Sequence, residues 1–137
     1  MDIQMQIFDP RSIATPVYQA LTDLSNQARG NDKQLKEQKA QAFALYSYLS
    51  TWGMMRLKAE EAAISGDGKK AVIKAYFNCL EQLSTETELA GTKGLQTITA
   101  MGTENYLGLT GLGLTLAQEF SFWATAIYVG VEIDGDE

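Results

Sequence analysis

Histidine is absent from the 137 residues, which removes Ser-His and Cys-His catalytic pairs and histidine-based metal sites. Cysteine occurs once, as Cys79. A single thiol cannot close an internal disulfide, so the chain suits a reducing compartment, with the cytoplasm as the expected location. Cys79 falls on an apolar helical face with no cation beside it to lower its pKa, so it reads as a packing residue rather than a nucleophile. The start, Met1-Asp2-Ile3-Gln4, lacks a basic segment followed by an apolar run, so no secretory signal is expected. Long hydrophobic runs are also missing. The most apolar stretch, Tyr106 to Val131, is divided by Gln118 and Glu119 into runs of about 12 residues, short of the ~18 that a membrane span needs.

Positive charge is scarce overall and missing from one end. The net charge is −6, and ten of the eleven basic residues lie between Arg29 and Lys93. From Gly94 onward there are six acids and no base. A uniform nucleic-acid coat is excluded by that sum, but a locally basic face is not. Nucleotide-loop signatures are incomplete as well. Gly108, Gly111 and Gly113 sit inside a helical pattern with no preceding strand, where close helix packing explains them, and Gly66-Asp67-Gly68-Lys69-Lys70 lacks the P-loop spacing. Glu60-Glu61 and Glu86/Glu88 are the close carboxylate pairs of the body. They read as solvated surface, with no third ligand at a metal-site interval. No catalytic, metal or cofactor site is therefore expected.

What is present is helical periodicity in a chain with 45% hydrophobic and 20% charged residues, ordinary values for one folded domain. Residues 1–11 predict a flexible arm, and 132–137 an acidic, solvated tail. Thr15-Pro16 marks an N-cap followed by a first helical residue, so helix one is predicted from about Pro16 to Ala28, ended by Arg29-Gly30-Asn31. Leu35, Ala42, Leu45, Leu49, Trp52, Ala59 and Ala63 keep to one helical face, which predicts a single long helix from Asp32 to about Ile64. Gly53 in its middle reads as a site of close packing rather than a bend. A third helix is predicted from Lys69 to about Leu83, apolar on two flanks, then a short one around Leu95 to Met101. The last begins at a Thr103 cap and carries Tyr106, Leu109, Gly113, Leu116, Phe120, Trp123 and Ile127 as a packed seam. The fold class is all-α, a single domain of roughly four or five helices. Trp52, Phe120 and Trp123 are assigned to the core, with Tyr46 and Tyr48 as the exposed aromatics.

The candidate binding residues are the cations. Lys33, Lys36 and Lys39 recur every three residues on one face, with Arg29 just before them. Lys69, Lys70 and Lys74 open the third helix beside a glycine-containing loop, where free backbone N–H groups add positive potential. Arg56 and Lys58 lie between the two groups. Together they form a candidate phosphate-contacting set; the alternative is that they only solubilise polar faces.

The last helix, through Tyr106-Leu107-Gly108-Leu109-Thr110, Leu114, Leu116-Ala117, Phe120, Trp123-Ala124 and Ala126-Ile127, resembles the small helical subunit of type III CRISPR RNA-guided effector complexes, most closely that of the RNA-targeting B subtype. Weaker likeness runs through Ala42 to Leu57 and Val72 to Leu83. The resemblance implies a noncatalytic bundle, several copies of which stack along the effector in antiviral defence. It implies partners as well: other effector subunits, copies of itself, and guide RNA with target nucleic acid, whose backbone basic side chains touch without reading sequence. Neither a membrane nor a small-molecule substrate belongs to that role. An unrelated helical adaptor or self-associating bundle, binding protein through Trp52, Tyr46 and the last helix, is the alternative.

Overall fold

A computed structural model describes residues 9–133. The expected arm over residues 1–8 and the end of the acidic tail, 134–137, lie outside that range. Six helices occur among the described residues: α1 (Arg11–Gln27), α2 (Asp32–Trp52), α3 (Met54–Ala63), α4 (Asp67–Leu83), α5 (Gly94–Ala100) and α6 (Thr103–Ile127). No strand is present among them, so the all-α expectation holds, with one helix more than the predicted upper number.

Gly53 supplies the extra helix. It terminates α2, where its N–H donates to the Leu49 carbonyl, and its own carbonyl accepts the Leu57 N–H in α3. Its φ of 87° and ψ of 169° fall in a region that is essentially reserved for glycine. The predicted continuous helix is therefore two helices. Beyond the break the expected stripe fails: Ala59 and Ala63 are exposed, and Met54 and Leu57 face the core instead.

At the other end α1 begins five residues earlier than predicted. Asp9 accepts from the Arg11 N–H through Oδ1, and the Asp9 and Pro10 carbonyls take up the next N–H groups. These contacts satisfy donors that a helix start leaves open. Arg11 also holds the Asp9 carboxyl below its ordinary pKa, chiefly through a side-chain hydrogen bond. Pro16 lies inside the helix rather than at its first position. Residues 9–11 thus initiate a helix instead of belonging to an extended arm. At α6, too, the cap differs: Gly102 is the N-cap and Thr103 is the first helical residue.

The four long helices α1, α2, α4 and α6 form the bundle. Its main interfaces are α2 with α6, α2 with α4, and α1 with α6. α3 packs on α4 and α5, which makes the two short helices an outer annex. One buried cluster draws residues from every helix, including Val17, Leu45, Leu57, Phe77, Ile98 and Phe120. Both apolar flanks of α4 are covered: Val72, Ile73, Tyr76, Phe77, Cys79 and Leu80 are all buried.

Two hydrogen bonds lock the interior. The Tyr76 hydroxyl donates to the Gly113 carbonyl at 2.9 Å, and the Tyr128 hydroxyl to Gln38 Oε1 at 2.7 Å. Burial raises the pKa of both phenols. Of the glycines assigned to close packing in α6, only Gly113 meets that description. A Cβ there would approach Tyr76 Oη to 2.6 Å, whereas Gly108 and Gly111 face open space.

Candidate functional site

Lys33, Lys36 and Lys69 converge on one groove between α2 and α4, with Glu37 and Ala40 completing its lining. Gly68 makes that convergence possible. A Cβ at this position would come within 2.6 Å of the Gln34 carbonyl, so glycine lets the start of α4 lie directly on α2. The Gly68 N–H donates to Glu37 Oε1 at 2.9 Å. The helix start that was expected to offer N–H groups to a phosphate thus gives one of them to an internal carboxylate. The spacing of the lysines leaves Glu37 out of account, although at position 37, next to Lys36, it belongs to the same helical turn.

The remaining cations divide among several environments. Lys39 is half-buried and donates from Nζ to the Val131 carbonyl at 2.6 Å, which ties α2 to the segment following α6. Arg29 is exposed at the end of α1 and bonds Asn26 Oδ1. Arg56 lies 4.1 Å from the centre of the Trp52 ring, a cation–π contact on the surface. Trp52 itself is 53% exposed and does not belong to the core: the break at Gly53 ends the stripe that would have buried it. The Tyr48 hydroxyl is half-buried beside Glu60, and burial with that neighbouring negative charge raises its pKa.

Lys58 departs most from expectation. It is 6% exposed, bonds Glu61 Oε1 at 2.8 Å and lies 4.7 Å from the centre of the Phe77 ring. A buried, paired ammonium is not available to a backbone phosphate, so Lys58 leaves the contact set. Glu61, expected as solvated surface, is largely enclosed and also approaches Lys74 Nζ at 3.8 Å. The i,i+3 spacing of Lys58 and Glu61 was the available signal. Lys70 and Lys74 line a second groove, between α3, α4 and the segment before α5. Because Lys69 and Lys70 are successive residues of α4, they open onto the two sides of that helix, and the grooves are neighbours across it.

Cys79 is buried, its Sγ 3.8 Å from the Pro16 carbonyl, and burial pushes the thiol up to about 11. Among the described residues no group of three or more acids or cysteines could hold a metal ion, and no helix is long and apolar enough to cross a membrane.

A separate surface is apolar. Phe43 on α2 and Phe122 on α6 are 55% and 61% exposed, and each adjoins a residue of the Ser121–Ala42 hydrogen bond that joins the two helices. Phe122 meets Trp123 edge to face, and Trp123 meets Tyr18 of α1 in the same way. Helical spacing singles out none of Tyr18, Phe43 and Phe122. They fall outside the inward stripes, where sequence alone cannot tell an exposed ring from one covered by a neighbouring helix. Set against known proteins, the chain matches no family model, no curated protein and no solved structure.

Proposed function

We propose that this chain is a noncatalytic, cytoplasmic small subunit of a type III CRISPR RNA-guided effector complex, which stacks along the assembly and touches the guide–target backbone without reading sequence. The carrying observation is the convergence of Lys33 and Lys36 from α2 with Lys69 from α4 on one groove, with Lys70 and Lys74 on the far side of α4 and Arg29 near the start of α2. Two elements distant in sequence thereby present cations in one region of a molecule that has none from Gly94 onward. Point-charge contacts of this kind neutralise phosphates and confer affinity rather than base preference.

The test is binding of the full chain to an RNA duplex at rising salt, beside a K33E/K36E/K69E variant. The parent is expected to lose affinity steeply with salt, and the variant to show a shallower log–log slope. Binding that is insensitive to both salt and charge reversal would remove the nucleic-acid role. Purification from the native host tests the assembly role: small guide RNA and a backbone-forming subunit should accompany the chain.

The exposed aromatic surface favours a second reading, a helical adaptor or self-associating bundle without a nucleic-acid role. Here F43S/F122S should abolish association measured by sedimentation, while K33E/K36E/K69E leaves it intact. The two variants therefore separate the readings, since apolar contacts resist salt and phosphate contacts do not.

A further inference from the structure

We infer that the groove between α3, α4 and residues 90–95 is a binding site for a small organic anion, with one anionic headgroup on a short apolar body. Its space is about 460 Å³, within the ~300–1,000 Å³ typical of small-molecule sites. The inference goes beyond the polyanion surface described above, which centres on Lys33, Lys36 and Lys69 across α4.

Charge is out of balance in this groove. Lys58, Lys70 and Lys74 line it together with a single carboxylate, Glu61. Lys58 and Lys74 both lean on that acid, Lys58 at 2.8 Å and Lys74 only at 3.8 Å. Lys74 is thus beyond hydrogen-bond length and retains donors for another acceptor. Lys58 is enclosed at the floor, where a hydrophobic side chain of similar volume would fill the space at lower desolvation cost. A cation held there beside one shared acid leaves a positive site in a partly dehydrated setting, where an anion is attracted more strongly than at an open surface.

The rest of the lining is apolar, with Ala59 and Ala62 on one wall and Ala90 and Leu95 on the other. The second wall is braced. Glu81 Oε1 accepts from the N–H groups of both Leu89 and Ala90, Leu89 is fully buried, and Thr97 Oγ1 donates to the Glu88 carbonyl at 2.9 Å. Gly94 completes the fit, since a Cβ there would come within 2.3 Å of Lys58 Cε and 2.2 Å of the Leu89 carbonyl. A groove set in advance by such contacts needs little reordering to receive a ligand. The headgroup would lie at Lys70 and Lys74, and the apolar body along Ala59, Ala62 and Leu95.

The experiment is an amide NMR titration of the full chain with phenyl phosphate, inorganic phosphate, benzoate and benzyl alcohol as probes. Phenyl phosphate should give saturable shifts at Ala59, Ala62, Gly91 and Leu95, and should bind about tenfold more tightly than inorganic phosphate through its ring. Benzyl alcohol should give none, and the benzoate arm tells a carboxylate preference from a phosphate one. K74E and L95E alter exposed side chains and should each weaken phenyl phosphate by about tenfold or more. K33E/K36E/K69E should leave it unchanged, so failure here and failure of the polyanion surface are separable. The inference is overturned if no saturable shift arises at those four residues, if K74E binds like the parent, if the ring adds nothing over inorganic phosphate, or if the shifts centre on Lys33, Lys36 and Lys69.

Discussion

Gly113 and Gly111 stand two positions apart in α6 and face opposite consequences. An added methyl at 113 meets Tyr76 Oη at 2.6 Å and Met54 Cε at 2.8 Å, whereas at 111 it meets nothing within 4 Å. Gly113→Ala is expected to cost about 1–3 kcal/mol through overpacking, and Gly111→Ala to stabilise by about 0.5–1 kcal/mol through helix propensity. Urea unfolding of the two variants checks both signs. Cys79 carries a pH signature. Its thiol rests near 11 in the folded chain against an ordinary 9.0, so between those values the unfolded chain ionises first and unfolding releases a proton. Stability should therefore be full below pH 9 and fall as pH rises toward 11. Thermal melts across that window should show the decline, with a shallower slope in C79A; an equal slope in both proteins would assign the effect to Tyr76 and Tyr128, whose pKa values are raised as well.

Element boundaries depend on single residues whose backbone angles decide the outcome. Gly53 combines the C-cap of α2 with the N-cap of α3, and any side chain there would occupy the positive-φ region at a cost of about 1–3 kcal/mol. Gly53→Ala should thus lower the melting temperature, although alanine is the better helix former; a rise would mean that one continuous helix is the preferred state. The periodicity of Ala42, Leu45 and Leu49 identified the inner face of α2 correctly, and it could not reveal that the pattern restarts beyond 53. Apolar spacing measures rotation about a helix axis, and a left-handed glycine redirects the axis itself. At α1, Asp9-Pro10 carried the same acceptor-then-proline signal as Thr15-Pro16, and the earlier pair initiates the helix because Asp9 accepts the first N–H.

At the scale of the molecule the decisive feature is how charges from different elements meet. Glu37 receives the α4 N-terminus and also opposes Lys33, Lys36 and Lys69 within their groove. Glu37→Gln should therefore tighten RNA-duplex binding several-fold by removing a repelling charge, while lowering stability by about 1 kcal/mol as the charged acceptor of Gly68 becomes neutral. Parallel binding and denaturation measurements would show the two effects moving in opposite directions. The same separation into a cation-bearing region around α2 and α4 and a cation-free α6 allows an acidic chain to present a local positive surface.

The amino-acid sequence by itself determined the helical class, the inward faces of α2, α4 and α6, the burial of Cys79 and the gathering of ten of the eleven basic residues between Arg29 and Lys93. All of these follow from residue type and the 3.6-residue period, which act along a single helix. Only the tertiary structure decided that Lys33 and Lys36 meet Lys69, that the locally spaced Lys58–Glu61 pair is enclosed, and that Trp52, Phe43 and Phe122 remain exposed. Those outcomes depend on which helix covers which face, and a contact between elements 30 or more residues apart leaves no periodic trace in either one.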